Sequence, residues 1–318
     1  MKDYLPDMQK SAPVHKTAID KVGVRNMKIP FQLKRKNGTI THTIATVSSY
    51  CNLVADLKGI NMSRISRTIN DVLLESRYGF DNLVEFVNRL QQAHNTDEVW
   101  VKTEFEYLML SHSPVVNIPS YEPVTVTFEC RLNGGGIKKY VRVLTKEMSL
   151  CPCSKEMSLL INNLNDQERA ELSLISESSS LGQKLRLSGF GAHSQKSSID
   201  ILVELKGDSI MWIEDIVAIA KQASSCSTFS TLKRPDEKYV TEAAYMGKYI
   251  DSDFNLTDTE SNDGPKFVED IARDCTGELN LVLDTLIADY VVVVNNEESI
   301  HSQDIYATAV LTAGRGLK

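Results

Sequence analysis

Apolar side chains along this chain recur with two different periods. From Thr41 to Val54 (THTIATVSSYCNLV) β-branched residues alternate in part with polar ones, which predicts a strand. Val99 to Leu110 alternates through Val99, Val101, Phe105 and Tyr107, and Val124 to Leu132 through Val124, Val126, Phe128 and Cys130. Tyr140 to Leu144 follows the Gly134-Gly135-Gly136 turn, so these runs read as an antiparallel meander or hairpin. Between the first two the period lengthens: Ile69, Val72, Leu73, Phe80, Leu83, Val84, Phe86, Val87 and Leu90 stand at helical spacings. Gly79 and Asp81 mark a break between two helical pieces, Lys58 to Arg64 forms the preceding loop, and the apolar stripe is expected to lie on a sheet.

The second half repeats this order. Ile199 to Leu205 predicts a strand, and Ile210 to Ser224 a helix through Ile213, Ile216, Val217, Ile219 and Ala220. A long helix is expected from Pro265 to about Leu286, with proline at its start and Glu269 and Asp270 in its first turns, and then a buried strand over Tyr290–Val294. Asn162 to Gly189 is polar and serine-rich, the pattern of a partly helical insertion, and Asp251 to Asp263 is an acidic one. The reading is an α+β chain in two tandem units, 20–150 and 151–318, with insertions near 160–189 and 247–264 and a mobile tail over 1–19.

Composition narrows the function. The 318 residues are 42% hydrophobic and 24% charged, enough apolar material for one large domain or two smaller ones. A net charge of -7 argues against a nucleic-acid binder, which needs a basic stripe to displace counterions. No apolar run approaches the roughly 18 residues that span a bilayer, and Met1 to Lys10 is polar, so a cytoplasmic protein without a membrane partner is expected. Six cysteines are too sparse for a disulfide framework and read as thiols.

Two of those thiols, Cys151 and Cys153, flank Pro152, and proline predicts that both leave a stiff, non-helical segment. With His193, Glu237, Glu269 and His301 they form the short list of unusual polar residues. Zinc accepts thiolate, imidazole and carboxylate together, and the long gaps between these residues favour a fold-assembled catalytic site over a zinc finger. No spacing is diagnostic alone. Taken singly, Cys153 or His301 reads more readily as a buried thiol or a hydrogen-bonded histidine.

The ordered set of segments is more specific. Val22-Gly23-Val24-Arg25-Asn26, Ala45-Thr46-Val47-Ser48, Lys58-Gly59-Ile60-Asn61-Met62-Ser63-Arg64, Leu150-Cys151-Pro152-Cys153-Ser154-Lys155-Glu156 and Gly191-Ala192-His193-Ser194-Gln195 come first. Lys233 to Glu242 (KRPDEKYVTE), Pro265 to Asp270 (PKFVED) and Glu298-Ser299-Ile300-His301 complete it. Together they resemble the type IB GTP cyclohydrolase family over nearly the whole chain. The resemblance implies a tunnelling fold of two antiparallel-sheet-plus-two-helix units, a homotetramer with sites at subunit interfaces, and hydrolysis of GTP to 7,8-dihydroneopterin triphosphate and formate. It places Cys151, His193, Glu237 and His301 on the metal positions, with Zn2+ expected and Mn2+ or Fe2+ as alternatives, and Glu269 on the carboxylate that holds the guanine edge. Cys153 is the second motif cysteine, supporting or catalytic, as His193 and His301 are through proton transfer. Lys233, Arg234, Lys238, Lys196 and Arg64 form the pool of triphosphate cations. Asn61 stands where the family commonly has histidine. The alternatives are another tunnelling-fold enzyme of purines or deazapurines, and a relative that binds GTP without turnover.

Overall fold

The computed structural model describes residues 8–73, 80–259 and 263–317. Its frame is an eight-stranded antiparallel sheet, formed by β1 (Ile19–Lys34), β2 (Ile40–Leu53), β3 (Val99–His112), β4 (Pro119–Asn133), β5 (Gly136–Leu150), β6 (Ser194–Leu205), β9 (Ile287–Glu297) and β10 (Tyr306–Thr312) in that spatial order. A small hairpin of β7 (Lys248–Ile250) and β8 (Leu256–Asp258) stands apart and occupies part of the acidic stretch. The α+β class expected from the sequence is thus the one found.

Strand periodicity gives the sheet two unlike faces. Val124, Val126, Phe128, Cys130 and Leu132 of β4, and Ile199, Ile201, Val203 and Leu205 of β6, alternate into one apolar core. Helices α1 (Met62–Thr68), α2 (Phe80–His94), α6 (Ile213–Ala223) and α8 (Val268–Val282) are expected to cover that face, and their buried stripes join the same cluster. The opposite face carries ion pairs between neighbouring strands, among them Lys138–Glu204 at 2.9 Å and the fork of Arg142 on Asp200. Strand, strand, helices, strand, strand occurs twice in chain order: once from β1 to β4, and again from β5 at Gly136 to β10. The hairpin at Asn133–Gly136 pairs the two runs into one continuous sheet.

Several elements depart from the sequence expectation. A helix begins at Met62, inside the expected loop, and continues into a π-helical turn over Ile69–Leu73. Gly79, the expected break, lies outside the described residues. The thiols do not share a non-helical segment: Cys151 is extended (φ -67°, ψ 117°), but Pro152 opens α3 (Pro152–Ser158) and carries Cys153 into its first turn. Proline is well tolerated there because the first helical N–H has no intrahelical partner. The expected helix at Pro265 starts only at Val268, since the Lys266 N–H is drawn to Leu150 O (3.2 Å) and Ser225 Oγ (3.1 Å). Helix α7 (Arg234–Met246) and β10 were not anticipated; Pro235, Asp236 and Glu237 in a first turn are the helix-start signal that could have revealed α7. Gly247, at φ 68°, closes α7 in the left-handed conformation glycine takes without steric cost. The insertion region holds α4 (Asp166–Ser173) and α5 (Ser180–Leu187), capped by Asn165 and Ser179.

Candidate active site

Strand register brings the distant motif segments to one end of the sheet. Leu150 pairs with Ser194, and Ser197 with Asn296, so the end of β5, the start of β6 and the turn after β9 are neighbours in that order. Cys151 follows β5, His193 precedes β6, and His301 lies in the turn after β9. The Cys151 N–H donates to His193 O at 3.1 Å, and the His193 N–H donates to Ser154 Oγ at 3.3 Å. Thiol-bearing and imidazole-bearing segments 42 residues apart are thereby locked side by side.

His193 is oriented by residues to which the sequence reading assigned no role. Its Nδ1 lies 2.9 Å from Gln195 Oε1, an atom that only accepts, so Nδ1 donates and Nε2 is the nitrogen left to face a ligand. Gln195 Nε2 lies 3.5 Å from Glu298 Oε1, and Ser299 Oγ donates to Ser194 O at 2.9 Å, tying the His301 turn to the base of the His193 strand. Such outer partners fix tautomer and ring orientation for a ligating histidine.

Two helix starts converge on the same end. Lys266, buried, places its Nζ on Ala223 O (3.0 Å), Gln222 O (3.3 Å) and Asp274 Oδ2 (2.9 Å), joining the end of α6 to α8. With its backbone N–H on Leu150 O, it seats the first turn of α8, which carries exposed Glu269, beside Cys151. Helix α7 docks through Val240, Ala243 and Ala244 on Leu150. Glu237 is exposed one turn before Val240, on that same helical face. The start of α7 is held by fully buried Asp236, which accepts from Val115 N (2.8 Å), Val116 N (2.9 Å) and Lys233 N (3.0 Å). Burial opposes its charge, yet these backbone bonds prevail and hold its carboxyl below the usual range.

The candidates thus gather unevenly. Cys151 and His193 are in direct backbone contact, while exposed Cys153 sits one helical position beyond Pro152. Among the described residues of one chain, no three His, Cys, Asp or Glu side chains converge closely enough to hold a metal ion. Lys233 and Arg234 are exposed at the start of α7, Lys238 engages Glu242 at 2.9 Å, and Lys196 is exposed on β6. Arg64 is at the far end of the sheet, donating to Ala93 O at 2.8 Å. The 15 residues of β5 separate the two ends by roughly 45 Å, beyond the reach of one side chain.

The remaining thiols are in the core. Burial pushes Cys51, Cys130 and Cys275 up to about 12 and raises Cys226 further. No described helix is long and apolar enough to cross a membrane.

Comparison with known proteins points the same way. Relatives include GTP cyclohydrolase FolE2 of Methylobacillus flagellatus, 31% identical over 303 residues covering 95% of this chain and 94% of that one. GTP cyclohydrolase FolE2 2 of Dechloromonas aromatica is 32% identical, with 95% and 93% covered. Among solved structures, uricase from Arthrobacter globiformis aligns with a TM-score of 0.46 at 6% identity over 94% of each chain, and a uricase from Bacillus fastidious with 0.48 at 10% over 92% of each. The family model described as Type I GTP cyclohydrolase folE2 matches residues 5–250 and 255–307, and the chain belongs to that family.

Proposed function

We infer that this protein hydrolyses GTP to 7,8-dihydroneopterin triphosphate and formate, the first step of pterin and folate biosynthesis. The observation that carries the reading is the Cys151–His193 backbone bond, which seats a thiol beside an oriented imidazole in a chain of this family. We further propose a cytoplasmic homotetramer of two tunnelling-fold units per chain.

The donor set suits a divalent metal: a half-buried thiol at Cys151, the His193 Nε2 lone pair, and the carboxylate and imidazole of Glu237 and His301. As no three of them converge within one chain, these four residues would hold it with a second copy contributing, thiolate favouring Zn2+ over Mn2+ or Fe2+. When bound, the ion supplies an activated water at neutral pH.

The chain's own groups do the rest. Gln195 accepts from His193 Nδ1 and so keeps the ring turned with Nε2 facing outward. Glu269, on the first turn of α8, accepts from the guanine N1–H and 2-amino group. Adenine lacks that donor pair, and an unmatched carboxylate there costs about 1–3 kcal/mol or more. His301 and Cys153 are assigned the proton transfers as the imidazole ring opens and C8 leaves as formate. Lys233, Arg234, Lys238 and Lys196 hold the triphosphate from this end of the sheet, and Arg64 contributes from a second copy.

The test is incubation with GTP, with zinc, with manganese and with a chelator, following formate and the fluorescent oxidised pterin. Metal-dependent release of both is expected, and its loss in Cys151→Ala with the fold retained. GTP left intact under every metal condition would refute the reading.

A further inference from the structure

The strand pairing contains a split that the proposed reaction does not use. β4 and β5 pair only from Asn133–Gly136 to Thr125–Leu144. Beyond that point β4 stays with β3 to Pro119, and β5 stays with β6 to Leu150. The sheet therefore opens between its two halves at the end that carries Cys151. The segment 225–230 lies in the opening: Met148 N donates to Cys226 O at 3.2 Å on one side, and Ser230 Oγ donates to Tyr121 O at 2.7 Å on the other.

Under that segment is a cavity of about 280 Å3. Its wall is chemically uneven. Lys221 is committed to an ion pair with Glu122 and lies 5.8 Å from the centre of the Phe229 ring. Glu147, only 2% exposed, receives Thr228 N (3.0 Å) and Thr228 Oγ1 (3.5 Å) on one oxygen, Oε2. Thr145, 4% exposed and two residues earlier on the same face of β5, has a buried hydroxyl with no hydrogen-bond partner. A buried hydroxyl left bare costs about 1–3 kcal/mol, and a carboxylate whose nearby cation is engaged elsewhere costs more. The space greatly exceeds the roughly 30 Å3 that one water occupies, so a single bridging water does not fill it.

We propose that this cleft is a second ligand site, taking a planar nitrogen heterocycle with adjacent N–H donors, of the 2-aminopyrimidinone type. Glu147 receives the paired N–H edge, the Thr145 hydroxyl donates to a ring nitrogen or carbonyl, and Phe229 covers one face. The residues that would be filled lie on β5, four and six positions before Cys151, and on the segment that closes the split. An occupant would therefore join the half-sheets and stiffen the strand that delivers the thiol. The lining of this cleft does not include Glu269, and its occupancy does not depend on turnover.

The experiment is calorimetric titration of the full-length protein with neopterin and guanosine, with guanidinium as a cation control. Binding is expected to weaken about tenfold or more in Glu147→Gln and Thr145→Val, to persist in Thr145→Ser, and to survive Glu269→Gln. Hydrogen exchange of the Met148 and Thr228 amides should slow when the heterocycle is present. Thr145→Val is nearly isosteric and carries the test if Glu147→Gln fails to fold. Three results would overturn the proposal: no heterocycle binding, binding abolished by Glu269→Gln alone, or guanidinium competing as well as the heterocycles.

Discussion

Replacing Asp236 with alanine removes the anchor that joins α7 to the loop before β4. Three backbone N–H groups, of Val115, Val116 and Lys233, then lose a charged acceptor in a fully buried position. Each stranded donor costs about 1–3 kcal/mol, and partial relaxation toward water brings the expected total to about 3–5 kcal/mol. Asp236→Asn keeps an oxygen for Val115 and Val116 but turns an amide toward Lys233, for an expected loss of about 2 kcal/mol. Urea unfolding at neutral pH measures both, read as a shift in midpoint at constant slope. Because the native carboxyl is depressed, its contribution is present above about pH 4 and is lost as pH falls through the folded value. The wild-type advantage over Asp236→Asn should shrink on acidification. On the proposed reading the next residue, Glu237, is a metal ligand, so metal binding should weaken in both variants. An alanine variant as stable as wild type would refute the reasoning, because it would mean those N–H groups find water at no cost.

Other expectations follow from separate parts of the molecule. Burial lifts Glu147 from 4.5 to about 7, with Lys221 opposing and Glu122 adding to the shift. A raised carboxyl stabilises fully below about pH 4.5 and loses that contribution as pH rises through 7, a change of about 3 kcal/mol. Glu147→Gln should flatten that slope in urea midpoints taken at pH 5 and pH 8, and an unchanged slope would assign it elsewhere. Gln195→Leu frees the His193 tautomer and should weaken metal binding about 10–100-fold in chelator competition, with little change in unfolding midpoint. Lys266→Met strips three acceptors of their cation and should both destabilise the chain and raise the KM for GTP, through a displaced Glu269; a KM equal to wild type would separate the two sites.

The frame of this protein was legible because half-buried strands write their alternation openly. β2, β3, β4 and β6 each match a run of β-branched or aromatic residues. β10 was hidden: its inward positions are Ala307 and Ala309, too small to mark a core face. α7 was hidden because its buried residues are Asp236, Val240, Ala243 and Ala244, a carboxylate and two alanines beside one valine, which leave no apolar stripe to read. Cys151, His193 and His301 could be named from the ordered motifs. The contact of Cys151 with His193 could not, since it depends on the register of β5 against β6, nor could the placing of the His301 turn beside β6, which follows from a crossover the local sequence does not encode. Gln195 and Glu298 stood inside quoted motifs, yet only strand geometry gives them a role. Arg64 shows the converse, since a basic residue in a matching motif is separated from the thiol by the length of a strand.

The four core thiols have a bearing on how this protein meets oxidants. Cys51, Cys130, Cys226 and Cys275 are sealed in the apolar interior and held as thiols, whereas Cys151 is half-buried and Cys153 exposed. Sulfenylation and alkylation require thiolate and access, so peroxide or iodoacetamide acts first on the Cys-Pro-Cys pair. On the proposed reading, damage then falls on the chemistry and spares the architecture. An oxidised molecule is therefore expected to stay folded while losing activity, and a reductant that returns the sulfenic acid to the thiol should restore it without refolding.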